Sequence, residues 1–172
     1  MGLRLLCLAL ALMCFVCAVK PTAATATTEE KQQSLTTYVR YRSYFSAAVI
    51  GQMEEAEIIP SYGYLVNKGL ADTIKRLVRD SGLGAKIYVD KLPFAGKSFE
   101  LGKELNIDPM SAALNGGEDY RLLFTIPISK HDKFRHDFQT FDIIGHLAKP
   151  EVGAALVTPD GVELPMKAQG WK

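Results

Sequence analysis

Asn115-Gly116-Gly117-Glu118-Asp119-Tyr120, running into Arg121-Leu122-Leu123-Phe124-Thr125-Ile126-Pro127, decides how this chain is read. Two adjacent glycines permit backbone angles and close approaches that a β-carbon forbids. An acidic pair follows, and then an apolar, β-branched run that reads as a buried strand closed by Pro127. A strand that opens this way holds two carboxylates at its mouth beside bare backbone. Such a mouth suits a cationic or polyhydroxylated ligand. A tight turn whose acids face water explains the same spacing, and the pattern alone leaves both readings open.

Working outward, apolar positions recur at near-helical spacing from Ser34 to Ala56, through Leu35, Val39, Phe45, Val49 and Met53, and predict a helix that Gly51 weakens. Pro60 ends that element, and 61–66 reads as a short strand. Asn67 is placed to cap a helix through Leu70, Ile74, Leu77 and Val78, which Gly82 stops. Ala85 to Val89 is a predicted strand, and Ser98–Leu105 and Pro109–Leu114 are predicted helices, the second capped by Asp108. Beyond the Gly-Gly strand, Ser129 with Asp132 three residues on starts a helix bearing Phe134 and Phe138. Strands are expected at 142–147 and 154–158, with Pro159-Asp160-Gly161 turning into a last strand from Val162 to Leu164. Interleaved strands and helices predict an α+β or α/β fold, a mixed sheet with helices packed on one side.

Composition narrows the function classes. A formal charge of +1 with no long single-sign run gives no electrostatic footprint for nucleic acid. The N-terminus differs in kind: Arg4, an apolar run from Leu5 to Val19, and Ala24-Thr25-Ala26 form the layout of a signal peptide over residues 1–26. A polar linker over 27–33 and one domain over 34–172 follow. The expected destination is export, periplasmic or secreted, with retention as an N-terminal membrane anchor the alternative. Cys7, Cys14 and Cys17 all lie in this leader, so a processed chain holds no disulfide, thiolate zinc site or cysteine nucleophile. His131, His136 and His146 form no metal-binding or Ser-His-Asp pattern and read as surface or half-buried residues.

The Asn-Gly-Gly-Glu-Asp-Tyr strand resembles the signature of the C-terminal half of thiamine-monophosphate kinases, in the aminoimidazole-ribotide-synthetase-like family. Ser81-Gly82-Leu83-Gly84-Ala85-Lys86-Ile87 before Leu92-Pro93, and the closing Gly170-Trp171, resemble further family segments in the same order. The resemblance implies that family's C-terminal fold from about Pro60 onward. It also implies an ancestral reaction that moves the terminal phosphoryl group of ATP onto thiamine monophosphate with magnesium.

The family's metal-binding Asp-x-Ser-Asp-Gly-Leu falls on Leu65-Val66-Asn67-Lys68-Gly69-Leu70. Both acids are replaced, by Leu65 and Lys68, and the nucleotide-contacting serine by Asn67, which the resemblance makes the nucleotide-binding candidate. At about 4 Å and an effective dielectric near 20, reversing a unit charge against a divalent cation costs on the order of 10 kcal/mol before relaxation. The resemblance therefore predicts no catalytic and no metal-binding residue here, no cofactor, and a kinase-like domain inactive by itself. Lys68 has two readings, an anion-holding lysine at a helix start and a solvated surface lysine. The substrate-side residues carried over are Glu118 and Trp171, a carboxylate and an aromatic face that suit a flat cation. The partner expected first is a thiamine-like small molecule. Self-association, a protein partner or a separate N-terminal kinase half stand as alternatives.

Overall fold

The computed structural model describes residues 13–14, 44–117 and 120–168. Its strands are β1 (Met13–Cys14), β2 (Gly63–Val66), β3 (Gly84–Tyr88), β4 (Arg121–Phe124), β5 (Asp142–Ile143), β6 (Gly145–Ala148), β7 (Ala154–Val157) and β8 (Glu163–Pro165). Its α-helices are α1 (Ala47–Glu55), α2 (Leu70–Ser81), α3 (Ser98–Leu105), α4 (Pro109–Asn115) and α5 (His131–Asp137). The Gly-Gly strand is β4, antiparallel to β2, with Arg121 opposite Val66 at one end and Phe124 opposite Gly63 at the other. A four-stranded sheet runs β6-β3-β7-β8, with β3 antiparallel to β6 and parallel to β7. The mixed α/β architecture expected from the sequence is the one observed.

Helix α2 is the hub. Leu70, Ile74 and Leu77 are fully buried at the spacing of one helix face, each contributing about 2 kcal/mol by removal from water. That face lies across β2, β3 and β7, and α4 packs against α2. Gly82 ends the helix in the left-handed conformation, φ 67°, as its position predicts. Asp108 caps α4 through hydrogen bonds from the Met110 and Ser111 N–H groups, and these hold its carboxyl below the usual carboxylate range.

The buried side chains form two clusters. One gathers α2 with β3 and takes in Val66, Ala85, Ile87, Leu123, Ile144 and Leu147. The other is aromatic: Phe45, Phe124, Phe134, Phe138 and Phe141 surround Met53, Ile58 and Ile126. Phe134 and Phe138 stack at 4.8 Å, as their shared helix face implies.

Three local expectations change. The helix expected over 34–56 is helical among the described residues only at Ala47–Glu55, because Ser46 caps it by accepting from the Val49 N–H; 34–43 lie outside the described residues. Ser129 does not cap α5; a short 3₁₀ turn, Ile128–Lys130, precedes it and leads directly into His131. The strand expected over 142–147 breaks at buried Ile144, since β5 pairs parallel with β1 while β6 pairs antiparallel with β3. The leader expected over 1–26 lies outside the described residues apart from Met13 and Cys14. No helix among the described residues is long and apolar enough to cross a membrane.

Candidate functional site

The mouth of β4 is built by two connecting segments pressed together. After Val66, Asn67 and Lys68 lie exposed on a bend, and Gly69 enters α2 with φ 88°. A β-carbon on Gly69 would stand 2.6 Å from the Leu114 carbonyl oxygen and 2.9 Å from that of Gly116. Only glycine meets both demands, a positive φ and bare backbone against bare backbone. Gly69 is therefore the N-cap residue, and the cap predicted at Asn67 is two residues early. A cap at Asn67 would move the helix start away from the Gly116 turn that Gly69 touches. The buried Thr73 hydroxyl donates to the Gly69 carbonyl at 2.9 Å and holds the first turn.

Across this junction the Tyr120 N–H donates to the Val66 carbonyl at 2.9 Å, which ties the start of β4 to the segment that runs from β2 through Asn67–Gly69. Tyr120 holds φ 50°, a left-handed conformation that a bulky residue adopts at a cost, and the residue is 59% exposed at the mouth. The pieces that the sequence singled out, separated by about fifty residues, meet here. Glu118, Asp119 and Trp171 lie outside the described residues.

The charges of α2 beside the mouth are committed to one another. Arg76 donates to the Leu65 carbonyl at 3.2 Å, and its guanidinium lies 5.8 Å from the centre of the Tyr64 ring. Its Nε is 3.2 Å from Asp72 Oδ2, an ion pair without hydrogen-bond alignment. Tyr64 in turn donates to Asp80 at 2.9 Å, and burial, with that acid beside it, pushes the phenol pKa up. Asp80 is held below its usual range chiefly by the hydrogen bond from Arg79. The acids of α2 are thus engaged by α2's own arginines, and no group of three metal-binding side chains occurs among the described residues. Lys68 is exposed, and no ion pair engages it or Arg121 among the described residues.

Sequence reasoning passed over a second concavity. Beyond the opposite end of β4, a cleft of about 630 Å³ opens between α5 and the ends of β3 and β6. His146, read from the sequence as surface or half-buried, is half-buried in its wall. Its imidazole contacts Tyr88, with ring centres 5.7 Å apart and Oη 3.4 Å from Nδ1. Burial, with Lys86 nearby, moves the His146 pKa down, and the burial of Asp142 in the same cleft moves its carboxyl up. No sequence signal marks the place, since its residues come from separate elements at unremarkable spacings.

No family model matches the chain. Over 62 residues it is 34% identical to a thiamine-monophosphate kinase of Methanopyrus kandleri, which is 36% of this chain and 20% of that protein. Over 69 residues it is 33% identical to the thiamine-monophosphate kinase of Aquifex aeolicus, 40% of this chain and 22% of that one. The chain spans about a fifth of the length of these relatives. Among solved structures, E. coli HypE, a hydrogenase maturation protein, superposes with a TM-score of 0.55 at 16% identity, over 73% of this chain and 40% of that one. Part of the chain is thus related in sequence to thiamine-monophosphate kinases, and its fold is shared with HypE.

Proposed function

We propose that this chain is a thiamine-monophosphate-kinase-like domain that does not transfer phosphate, and that the Gly116-Gly117 mouth takes a flat cationic ligand of the thiamine phosphate type. The observation that carries the reading is the turn packed against those glycines. By the resemblance, Leu65 at the end of β2 and Lys68 in that turn fall where the kinases hold their metal with acids, and the Leu65 carbonyl is taken by Arg76. A hydrocarbon and an ammonium group give a divalent cation no seat, and phosphoryl transfer from ATP depends on one. Glu118 supplies the carboxylate and Trp171 the aromatic face for the ligand, while Asn67 is at most a marginal nucleotide contact. The strained backbone at Tyr120 supports a ligand-facing role for this corner, because such conformations gather at binding sites. No cofactor is required, and an exported or anchored chain works away from ATP.

Titration calorimetry of the full chain with thiamine, thiamine monophosphate and thiamine diphosphate tests the reading. Saturable binding of at least one, lost in Glu118→Ala, is expected. Absence of heat with all three removes the ligand, and magnesium-dependent turnover of ATP by the chain alone overturns the inactivity.

The exposed Tyr120 favours a second reading, in which the former cleft binds a protein. Light scattering separates the two: self-association that Tyr120→Ser abolishes favours the protein surface, and a strict monomer counts against self-association there.

A further inference from the structure

The cleft beyond the far end of β4 lies at the seam between the two buried clusters. The sheet contributes Tyr88 and His146, and the aromatic cluster contributes Phe141 and the α5 side. Gly145 in the lining adds no side chain, and the Tyr88 and His146 rings lie 5.7 Å apart in the same wall.

Two cations from different elements line the cleft, Lys91 from the turn after β3 and Arg135 from α5. Neither is engaged in an ion pair among the described residues, whereas Lys86, Arg76, Arg79 and Lys130 all are. His131 is also in the lining but is turned to Asp132, with Nδ1 2.9 Å from the carboxylate. One acid, Asp142, is half-buried in the same cleft and has no ion-pair partner among the described residues.

These features select a ligand class. Lysine and arginine side chains that pair with no acid among the described residues attract an anion, and the aromatic and imidazole faces favour a planar ring over a bare ion. An acid in the same space accepts hydrogen bonds from a hydroxyl or amino donor on the ligand's uncharged part. The volume falls within the range of small-molecule sites. We propose that this cleft binds a small aromatic phosphate ester carrying hydrogen-bond donors, a nucleoside monophosphate being the simplest of its kind. The site is separate from the Gly116-Gly117 mouth, and the cationic ligand proposed there plays no part in it.

Equilibrium dialysis of the full chain against adenosine monophosphate, adenosine and inorganic phosphate tests this. Saturable binding of the monophosphate is expected, at least about ten-fold tighter than of either fragment and weakened at least about ten-fold by Lys91→Gln and by Arg135→Gln. Both side chains are exposed, so the variants fold, and unchanged circular dichroism verifies it. Phosphate binding as tightly as the monophosphate overturns the proposal, as does affinity that neither variant changes. Affinity lost in Lys68→Gln instead also overturns it, since that places the ligand at the mouth.

Discussion

The mouth of β4 and the cleft beyond its other end are made in opposite ways. The mouth is a backbone construction: Gly69 lies against the Leu114 and Gly116 carbonyls, and a strained Tyr120 hydrogen-bonds across to Val66. The cleft is a side-chain construction in which Tyr88, His146, Lys91 and Arg135 reach one space from four elements. Backbone constructions constrain residue types sharply, since a β-carbon either fits or does not. Side-chain constructions leave many residue types acceptable at each position. The first kind leaves a trace in the sequence and the second leaves almost none.

The contrast can be broken most forcefully from the cleft side. Phe134 is fully buried on α5 and stacks on Phe138, so Phe134→Ala is expected to cost about 3–5 kcal/mol in urea unfolding. A cost below about 1 kcal/mol would mean that the wall carrying Arg135 is not anchored by the aromatic cluster. On the mouth side, Gly69→Ala meets two carbonyl oxygens and a positive φ, and about 2–3 kcal/mol is expected in the same measurement. A neutral result there would show that the two segments are not pressed together.

Smaller changes sharpen the comparison. Tyr120→Asn puts a residue that tolerates left-handed backbone at an exposed position and is expected to raise stability by about 1 kcal/mol. The predicted gain is accompanied by weaker ligand binding if the strain serves the mouth.

The subtlest effect is in the cleft, where burial and Lys86 depress the His146 pKa, opposed in part by Glu163. Its folded value lies below its unfolded one, so the neutral ring's contribution is complete above about pH 6.5. That contribution declines as the pH falls toward the folded value. The stability difference between the wild type and His146→Gln is therefore expected to shrink from about pH 7 to about pH 5. A difference that grows on acidification would mean that a carboxylate, Glu163 being the one that already raises this pKa, holds the protonated ring instead.

Much of the fold was legible because its periodicities are strong. The α2 face of Leu70, Ile74 and Leu77, the stop at Gly82, the Asp108 cap and the β4 run all lie where the pattern puts them. The misses are places where tertiary contact outranks local preference. Asn67 is a good capping residue, but the Gly116 turn claims the position where only Gly69 fits. The strand from Asp142 was broken by pairing with two different partners, which no single segment reveals. At the mouth the glycines at 69 and 116 that the sequence singled out do meet backbone to backbone. The cleft was not readable, since Lys91 and Arg135 look like any exposed cation until the fold brings them to one cavity.

The claim that most depends on physics is that the mouth cannot seat a divalent cation. Electron paramagnetic resonance of Mn²⁺ titrated into the full chain, with and without ATP, measures this directly. The account predicts no saturable Mn²⁺ site and no difference between the wild type and Glu118→Gln. A saturable site that disappears in Glu118→Gln would contradict it.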